Sequence, residues 1–292
     1  MPAALVLMNT RSGTAHGRAE IERAFADAGV ECQVKMLKRR INLAALVGDA
    51  VSHGATIVAA GGDGTVNCIA NAVVKHPGAS LGVLPVGTLN HFAKDMKLPL
   101  TLEDAAKVIG AGATKQVDAG EVNGRLFVNN SSIGFYPGMV LQRERLKKVG
   151  LNKWLSLLVA CFGQFVRFKH LNVCVTLATG ERLIRTTPFV FVGNNEYTME
   201  GAVAGTRARL DAGRLYLYMA PGATRLSLLR LTLAALRSKV NEMPNFESLC
   251  VEAFTVEHRR KVMSVAVDGE VVRVSGPLHY RIRPGVLRVL AP

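Results

Sequence analysis

Between Ala3 and about Val117 the chain alternates short apolar runs with stretches whose apolar residues recur every three or four positions. The run ALVLM is followed by GRAEIERAFADAG, a helix-period segment closing on Gly29; VECQVKML reads as a strand and INLAALVGDAVSHG as a helix closing on Gly54. TIVAA is a buried-strand run that enters a glycine loop, then a helix from about Val66 to Lys75, and SLGVLPV is a further strand. This alternation predicts a parallel sheet with helices on both faces. Ligands of such a sheet gather at the carboxyl ends of its strands.

After about Asp118 the texture changes to strand-like runs separated by turn residues: RLFVNNSSIGF, LNVCVTLATGERLIRTTPFVFVGN, GRLYLYMA, LCVEAFTV, KVMSVAVDGEVVRV and LHYRIRPGVLRVL. Runs at this spacing predict a β-rich, antiparallel, sandwich-like domain. Helical patterns interrupt it from Leu146 to Phe168 and from about Ala223 to Val240. The change of pattern places a domain boundary near Asp118, residues 1–118 forming the α/β part.

Composition narrows the partners. The 292 residues, 49% hydrophobic, are enough to bury a substantial core. Lys and Arg number 36 against 22 Asp and Glu, a net charge of +14 that favours polyanions: nucleotides, nucleic acid or an acidic membrane surface. No basic and aromatic recognition pattern supports nucleic acid. The cysteines, Cys32, Cys68, Cys161, Cys174 and Cys250, are scattered with no C-x-x-C pair, which suggests neither a disulfide framework nor a zinc site and fits a reducing cytoplasm. The N-terminus MPAALVLMNTR reads as a first strand rather than a signal peptide, and the apolar peak WLSLLVACFGQFV is short of a membrane span.

The candidate chemistry lies in the glycine loops. A strand, a glycine turn and a helix start present backbone N–H groups and the positive helix end to an anion. In GGDGT, Gly61, Gly62 and Gly64 allow close approach of a ligand, and Thr65 is an N-cap or a phosphate donor. Asp63 is out of place against phosphate unless it binds the Mg²⁺ that accompanies a nucleoside triphosphate or takes a proton from an attacking hydroxyl. The bland alternative is an Asp-Gly tight turn in which Asp63 bonds its own backbone. LPVGTLNHFAKDMKLP is a second strand-end loop, with Gly87 and Thr88 followed by Asn90 and Lys94, and NTRSGTAHG adds Asn9, Ser12 and Gly13 at the end of the first strand. Together they look like a shared phosphate cradle. VDGEVV by itself reads as a β-hairpin with Asp-Gly in a type I′ turn.

Asn9-x-x-Ser12-Gly13, GGDGTVN from Gly61 to Asn67, PVGTLNHFAK from Pro85 to Lys94 and VDGE from Val267 to Glu270 resemble the bacterial diacylglycerol kinase-like lipid kinases, relatives of sphingosine and ceramide kinases and, more distantly, of NAD kinases and phosphofructokinases. The likeness runs in order along essentially the whole chain. It implies an α/β nucleotide domain, a β-rich domain of residues 119–283 that takes the lipid, an active site in the cleft between them, and a last strand from about Pro284 that returns to the first domain. ATP phosphates would lie on the GGDGT and Gly87-Thr88 loops, with Asn9, Ser12, Gly13, Asn67, Asn90 and Lys94 around them and Mg²⁺ on Asp63. Glu270 would be the base that takes the proton of a lipid hydroxyl, and Asp268 would organise the metal or water network beside it. The expected partners are therefore ATP, a lipid such as diacylglycerol and an anionic membrane surface met peripherally from the cytoplasm, with a homodimer admitted.

The chain departs from the family at several positions. Cys68 and His91 stand where acidic residues are usual; Cys68 reads as a small buried apolar residue, and His91 either meets a phosphate or caps and packs, the second reading put ahead. The turn that holds a structural Mg²⁺ in many members has Ala212 at the matching position, with Asp211 one residue off, and that metal is not expected here. Gly134-Phe135-Tyr136-Pro137 replaces the usual Gly-Phe-Asp-Ala. A catalytically weak nucleotide- or lipid-binding protein and an NAD kinase-like enzyme are the alternatives, the second disfavoured by the late DGE and by Thr88-Leu89-Asn90-His91-Phe92-Ala93. For membrane contact, the amphipathic basic segments 143–170 and 225–239 are candidates.

Overall fold

The computed structural model describes residues 4–9, 17–37, 41–148, 170–198, 205–227 and 246–292. The chain divides into two compact units: residues 1–119, 209–212 and 283–292 in the first, 120–208 and 213–282 in the second.

In the first unit, β1 (Ala4–Met8), β2 (Cys32–Met36), β3 (Thr56–Ala60) and β4 (Ser80–Leu84) pair in parallel in the order β2-β1-β3-β4. Helices α1 (Arg18–Asp27), α2 (Leu43–Ser52), α3 (Asp63–Val73), α4 (His91–Asp95) and α5 (Leu102–Ala111) connect them. On one face Ile21 and Phe25 of α1 and Leu102, Ala106 and Ile109 of α5 pack on Val6, Val58 and Leu84 of the strands. On the other, α3 lies with α2 against β3 and β4, burying Val66, Ile69, Ala70 and Val73 at the spacing of one helical face. The chain runs from β1 to β2 on one side and later places β3 on the other, so β1 and β3 flank the point where the order reverses.

The second unit is antiparallel. One sheet runs β12 (Glu247–Val251), β11 (Leu215–Met219), β10 (Phe189–Asn194), β7 (Asn130–Gly134), β14 (Val262–Val267), β15 (Glu270–Ser275). Opposite it, β13 (Ala253–His258) lies between β8 (Leu171–Leu177) and the first residues of β16 (Leu278–Leu290), and β8 pairs with β9 (Arg182–Thr187). Their inward side chains, among them Ile133, Val175, Val192, Leu217, Val256 and Val265, form one core. Such alternation of buried and solvated positions is what a half-buried sheet requires. The α/β and antiparallel β classes expected from the pattern are the ones found.

Chain strands pass between the units. β5 (Thr114–Val122) gives its residues through Ala119 to the first and its end, which pairs with β6 (Arg125–Phe127), to the second. β16 is a single strand through Pro284-Gly285 whose Arg288 and Val289 pair in parallel with Ser80 and Leu81 of β4.

The helical elements differ most from expectation. α3 starts at Asp63, not near Val66, because Gly62 in an extended conformation already serves as its N-cap and an acidic first residue suits the helix N-terminus. α6 (Phe135–Lys148) begins well before Leu146, with Pro137 tolerated in its first turn. Most of the two segments considered for membrane contact lies outside the described residues; of the second, residues 225–227 begin a helical turn whose first amides are met by Thr224 Oγ1 through Ser227 N–H.

Candidate functional site

The first unit brings its three strand-end loops together. Asn9, just after β1, donates its side-chain amide to Thr65 Oγ1 at 3.2 Å, while its own N–H bonds Ala60 O at the end of β3. Gly61 N–H bonds Leu84 O at the end of β4. Gly62 and Gly87 pack backbone against backbone: a Cβ on Gly87 would meet Gly62 Cα directly and Gly62 N at 2.8 Å. A Cβ on Gly61 would lie 2.5 Å from Thr65 Oγ1. These glycines are required by proximity, since only a residue without a side chain lets two main chains approach this closely.

Asp63 ties the two loops. Its Oδ1 accepts the Phe92 N–H at 3.0 Å, from a residue 29 positions on in α4. The Asp-Gly tight turn is thereby corrected: Asp63 is the first residue of a helix, and its carboxylate accepts an N–H of another loop. Thr65 is not the N-cap either; it sits in the first turn of α3, buried, with its hydroxyl met by Asn9. Gly64 N–H precedes the first intrahelical bond, so α3 leaves it for an acceptor from outside.

Asn90 shapes the second loop. It adopts a left-handed φ of 51°, its Oδ1 accepts from Gly87 N–H, and its Nδ2 donates to Pro85 O and Gly87 O. Thr88 and Lys94 are exposed beside it, and Asn67 is buried with its Oδ1 accepting from Asn71. Ser12 and Gly13 lie outside the described residues. Two departures are corrected: Cys68 is exposed, not buried, because it falls on the solvent side of the 66-69-70-73 face of α3. His91 is exposed at the start of α4, where Asn90 is the cap residue, so it neither caps nor packs.

The second unit holds the other acidic residues. Val267 and Glu270 are opposite one another in β14 and β15, and the two residues between them, Asp268 (φ 46°) and Gly269 (φ 83°), are both left-handed. That is the type I′ hairpin the sequence pattern suggests. Glu270 is exposed. Asp268 is buried, and its carboxylate accepts three main-chain N–H groups, Val128 at 2.7 Å and Asn129 and Asn130 at 2.9 Å each. Both oxygens brace the hairpin against the β6–β7 connection. Burial pushes its pKa up to about 6 against the pull of those donors and of Arg207.

Arg207 was not singled out by sequence reasoning. It is buried, donating to Val128 O, Asn194 O and Asn129 Oδ1, and Asn194 Nδ2 also donates to Val128 O. The guanidinium and Asp268 hold opposite sides of the same main-chain segment. The signal was present in two Asn-Asn pairs, Asn129-Asn130 and Asn194-Asn195, at the ends of otherwise apolar runs. Asp211, beside the turn at Ala212, accepts from Arg209 at 3.0 Å.

The residues of the first unit suit a nucleotide's phosphates on the donor side, since close-packed glycines and a helix start are anion-binding elements. They also suit a nucleotide-borne Mg²⁺, which keeps several waters and takes one or two carboxylates plus phosphate oxygens; Asp63 contributes a carboxylate there.

Residues 3–122 match the family model of the diacylglycerol kinase catalytic domain, and residues 142–291 match that of the YegS C-terminal NAD kinase beta sandwich-like domain. The chain is 31% identical over 296 residues to a probable YegS-like lipid kinase of Pseudomonas aeruginosa, covering 99% of this chain and 93% of that one. It is 28% identical to a probable YegS-like lipid kinase of Citrobacter koseri, over 100% and 96% of the two chains. A crystal structure of a diacylglycerol kinase from Bacillus anthracis Sterne matches with a TM-score of 0.71 at 18% identity, over 100% of this chain and 97% of that one, which shows a common fold.

Proposed function

Because the chain belongs to the family built from a diacylglycerol kinase catalytic domain and a YegS-type C-terminal domain, we propose that it is an ATP- and Mg²⁺-dependent lipid kinase. It transfers the γ-phosphate to a hydroxyl of diacylglycerol or a similar lipid. The observation that carries this reading is the joining of three strand-end loops by the Asp63–Phe92 bond, the Gly62–Gly87 approach and the Asn9–Thr65 bond. Residues 1–118 and 284–292 would take the nucleotide and 119–283 the lipid, on a cytoplasmic protein that meets the membrane peripherally.

Phosphoryl transfer asks a protein for positioning and charge neutralisation more than for covalent chemistry. Bound ATP with Mg²⁺ supplies the phosphoryl group and the cation that neutralises it. Gly62 and Gly64 N–H groups and the Thr88 hydroxyl receive phosphate oxygens, Lys94 adds positive charge, and Asn9, Thr65, Asn67 and Asn90 hold the loops in shape. Asp63 would hold the metal through its carboxylate. The acceptor hydroxyl oxygen bonds to Pγ as the bond from Pγ to the β-phosphate bridging oxygen breaks, and the hydroxyl proton passes to Glu270. Asp268 acts as a positioning residue that fixes the turn carrying Glu270.

One observation favours a second reading, a weakly catalytic binding protein: the exposed Cys68 and His91 stand at positions usually acidic in the family. Labelled ATP, Mg²⁺ and a panel of diacylglycerol, monoacylglycerol, sphingoid and isoprenoid lipids separate the two. The kinase yields a phospholipid, and Asp63→Ala and Glu270→Ala each reduce the rate by about 100-fold or more while the fold is retained, Glu270→Ala with thermal unfolding unchanged. Nucleotide binding without product from any lipid establishes the binding protein instead.

A further inference from the structure

Arg207 is a permanent positive charge enclosed in the second unit, only 3% exposed. Its Nη1 donates to Val128 O at 2.6 Å and to Asn194 O at 2.9 Å, and its Nη2 to Asn129 Oδ1 at 2.7 Å. Tyr197 lies over the guanidinium, its ring centroid 5.5 Å from Cζ, and the Tyr197 hydroxyl accepts from Asn130 Nδ2 at 3.2 Å.

These contacts converge on one piece of main chain, residues 128–130. Its three N–H groups go to the Asp268 carboxylate, and Asn130 O accepts the Asp268 N–H at 2.9 Å. Asp268 opens the type I′ turn in a left-handed conformation, which an L side chain adopts only at a cost, and Glu270 follows two residues later. A chain of bonds therefore runs from the guanidinium, through residues 128–130, to the turn that presents Glu270.

Stability alone does not account for a charge in this position. A buried guanidinium must be stripped of water, and apolar side chains of matching shape hold a fold as well or better. A lysine would bring the same charge on one nitrogen, whereas the planar fork reaches three oxygens at two strand ends at once. The arrangement specifies geometry. Geometry is also what proton transfer to a base requires, since a small misplacement of a reacting group lowers the rate steeply.

We propose that Arg207 is a positioning residue for phosphoryl transfer, fixing residues 128–130 and, through Asp268, the turn that aims Glu270 at the acceptor hydroxyl. The inference rests on the kinase reading with Glu270 as base, and it gives Arg207 no contact with nucleotide or lipid.

Steady-state kinetics and amide hydrogen exchange on the whole protein test it together, using the lipid that wild type phosphorylates fastest. Arg207→Lys and Arg207→Ala should lower kcat by about tenfold or more while KM for ATP stays within about twofold of wild type. Exchange should quicken at residues 128–130 and 268–270 before it does in the other strands of the unit. Millimolar guanidinium chloride, refilling the space left in Arg207→Ala, should restore part of kcat there and none of it in Glu270→Ala. Arg182→Ala, which removes a guanidinium paired with Glu257 on the opposite sheet, should match wild type in both readouts. The proposal is overturned if folded Arg207→Lys keeps wild-type kcat and exchange, if KM for ATP rises at unchanged kcat, or if guanidinium raises the melting temperature of Arg207→Ala without restoring kcat. Where Arg207→Ala does not fold, Arg207→Lys decides by the same two readouts. A wild type that phosphorylates no lipid of the panel removes the kinase reading and the base with it; an active wild type with equally active Arg207 variants removes this proposal alone.

Discussion

Asp63 and Asp268 each precede a glycine, and each carboxylate accepts main-chain N–H groups from a distant part of the chain. Their surroundings make them different. Asp63 is half-buried at a helix start with one oxygen bonded to Phe92, whereas Asp268 is enclosed and holds three donors. Asp268→Asn replaces one acceptor oxygen by an NH₂ group facing a buried N–H, so the unfolding free energy at neutral pH should fall by about 1–3 kcal/mol in urea titration. The pH dependence adds a signature. The folded pKa of about 6 lies above the ordinary 3.8, so between these values the folded chain holds a proton that the unfolded chain has lost. The contribution of Asp268 to stability is therefore fully present below pH 3.8 and declines as pH rises through 6. Urea titrations at stepped pH should show wild type losing stability relative to Asp268→Asn over that interval; a parallel pair of curves would refute the shift.

At the scale of elements, the loops matter through their closest approach. Gly87→Ala drives a methyl into Gly62, and overpacking of this kind costs about 1–3 kcal/mol. We expect a lower melting temperature and a loss of about tenfold or more in fluorescent ATP-analogue affinity. Gly17→Ala, where nothing lies within 4 Å of the added carbon, should change neither by much. The strands β1, β3 and β4 and the Asp268-Gly269 hairpin were legible in the sequence because apolar runs and turn chemistry are local signals. The start of α3 was not: Gly-Gly-Asp-Gly reads as loop by propensity, and only the Gly87 loop packing against it and the Phe92 bond to Asp63 draw Asp63 and Gly64 into the helix. The main-chain bonds made by Asp268 were not legible for the same reason, since its partners at Val128 to Asn130 are brought near only by the fold.

For the whole molecule, charge is distributed unevenly. The first unit carries 15 Lys and Arg against 11 Asp and Glu, a net +4, and the second 21 against 11, a net +10. The sum of +14 was visible at once, and so was its concentration beyond the boundary near Asp118; residues 209–212 and 283–292 return a net two of those charges to the first unit. No helix among the described residues is long and apolar enough to cross a membrane. Basic residues near an anionic surface contribute about 1 kcal/mol each and act within a Debye length, about 10 Å at 0.1 M salt and shorter at higher salt. Flotation with vesicles containing about a third anionic lipid should therefore recover the protein at about 0.1 M salt and lose most of it at about 0.5 M. Neutral vesicles should recover little at either concentration. Binding that persists at high salt would assign the attachment to apolar insertion instead, and absence of binding at low salt would remove the membrane surface as a partner. Arg260→Ala/Arg273→Ala should lower recovery only modestly, because eight of the ten net charges of the second unit remain.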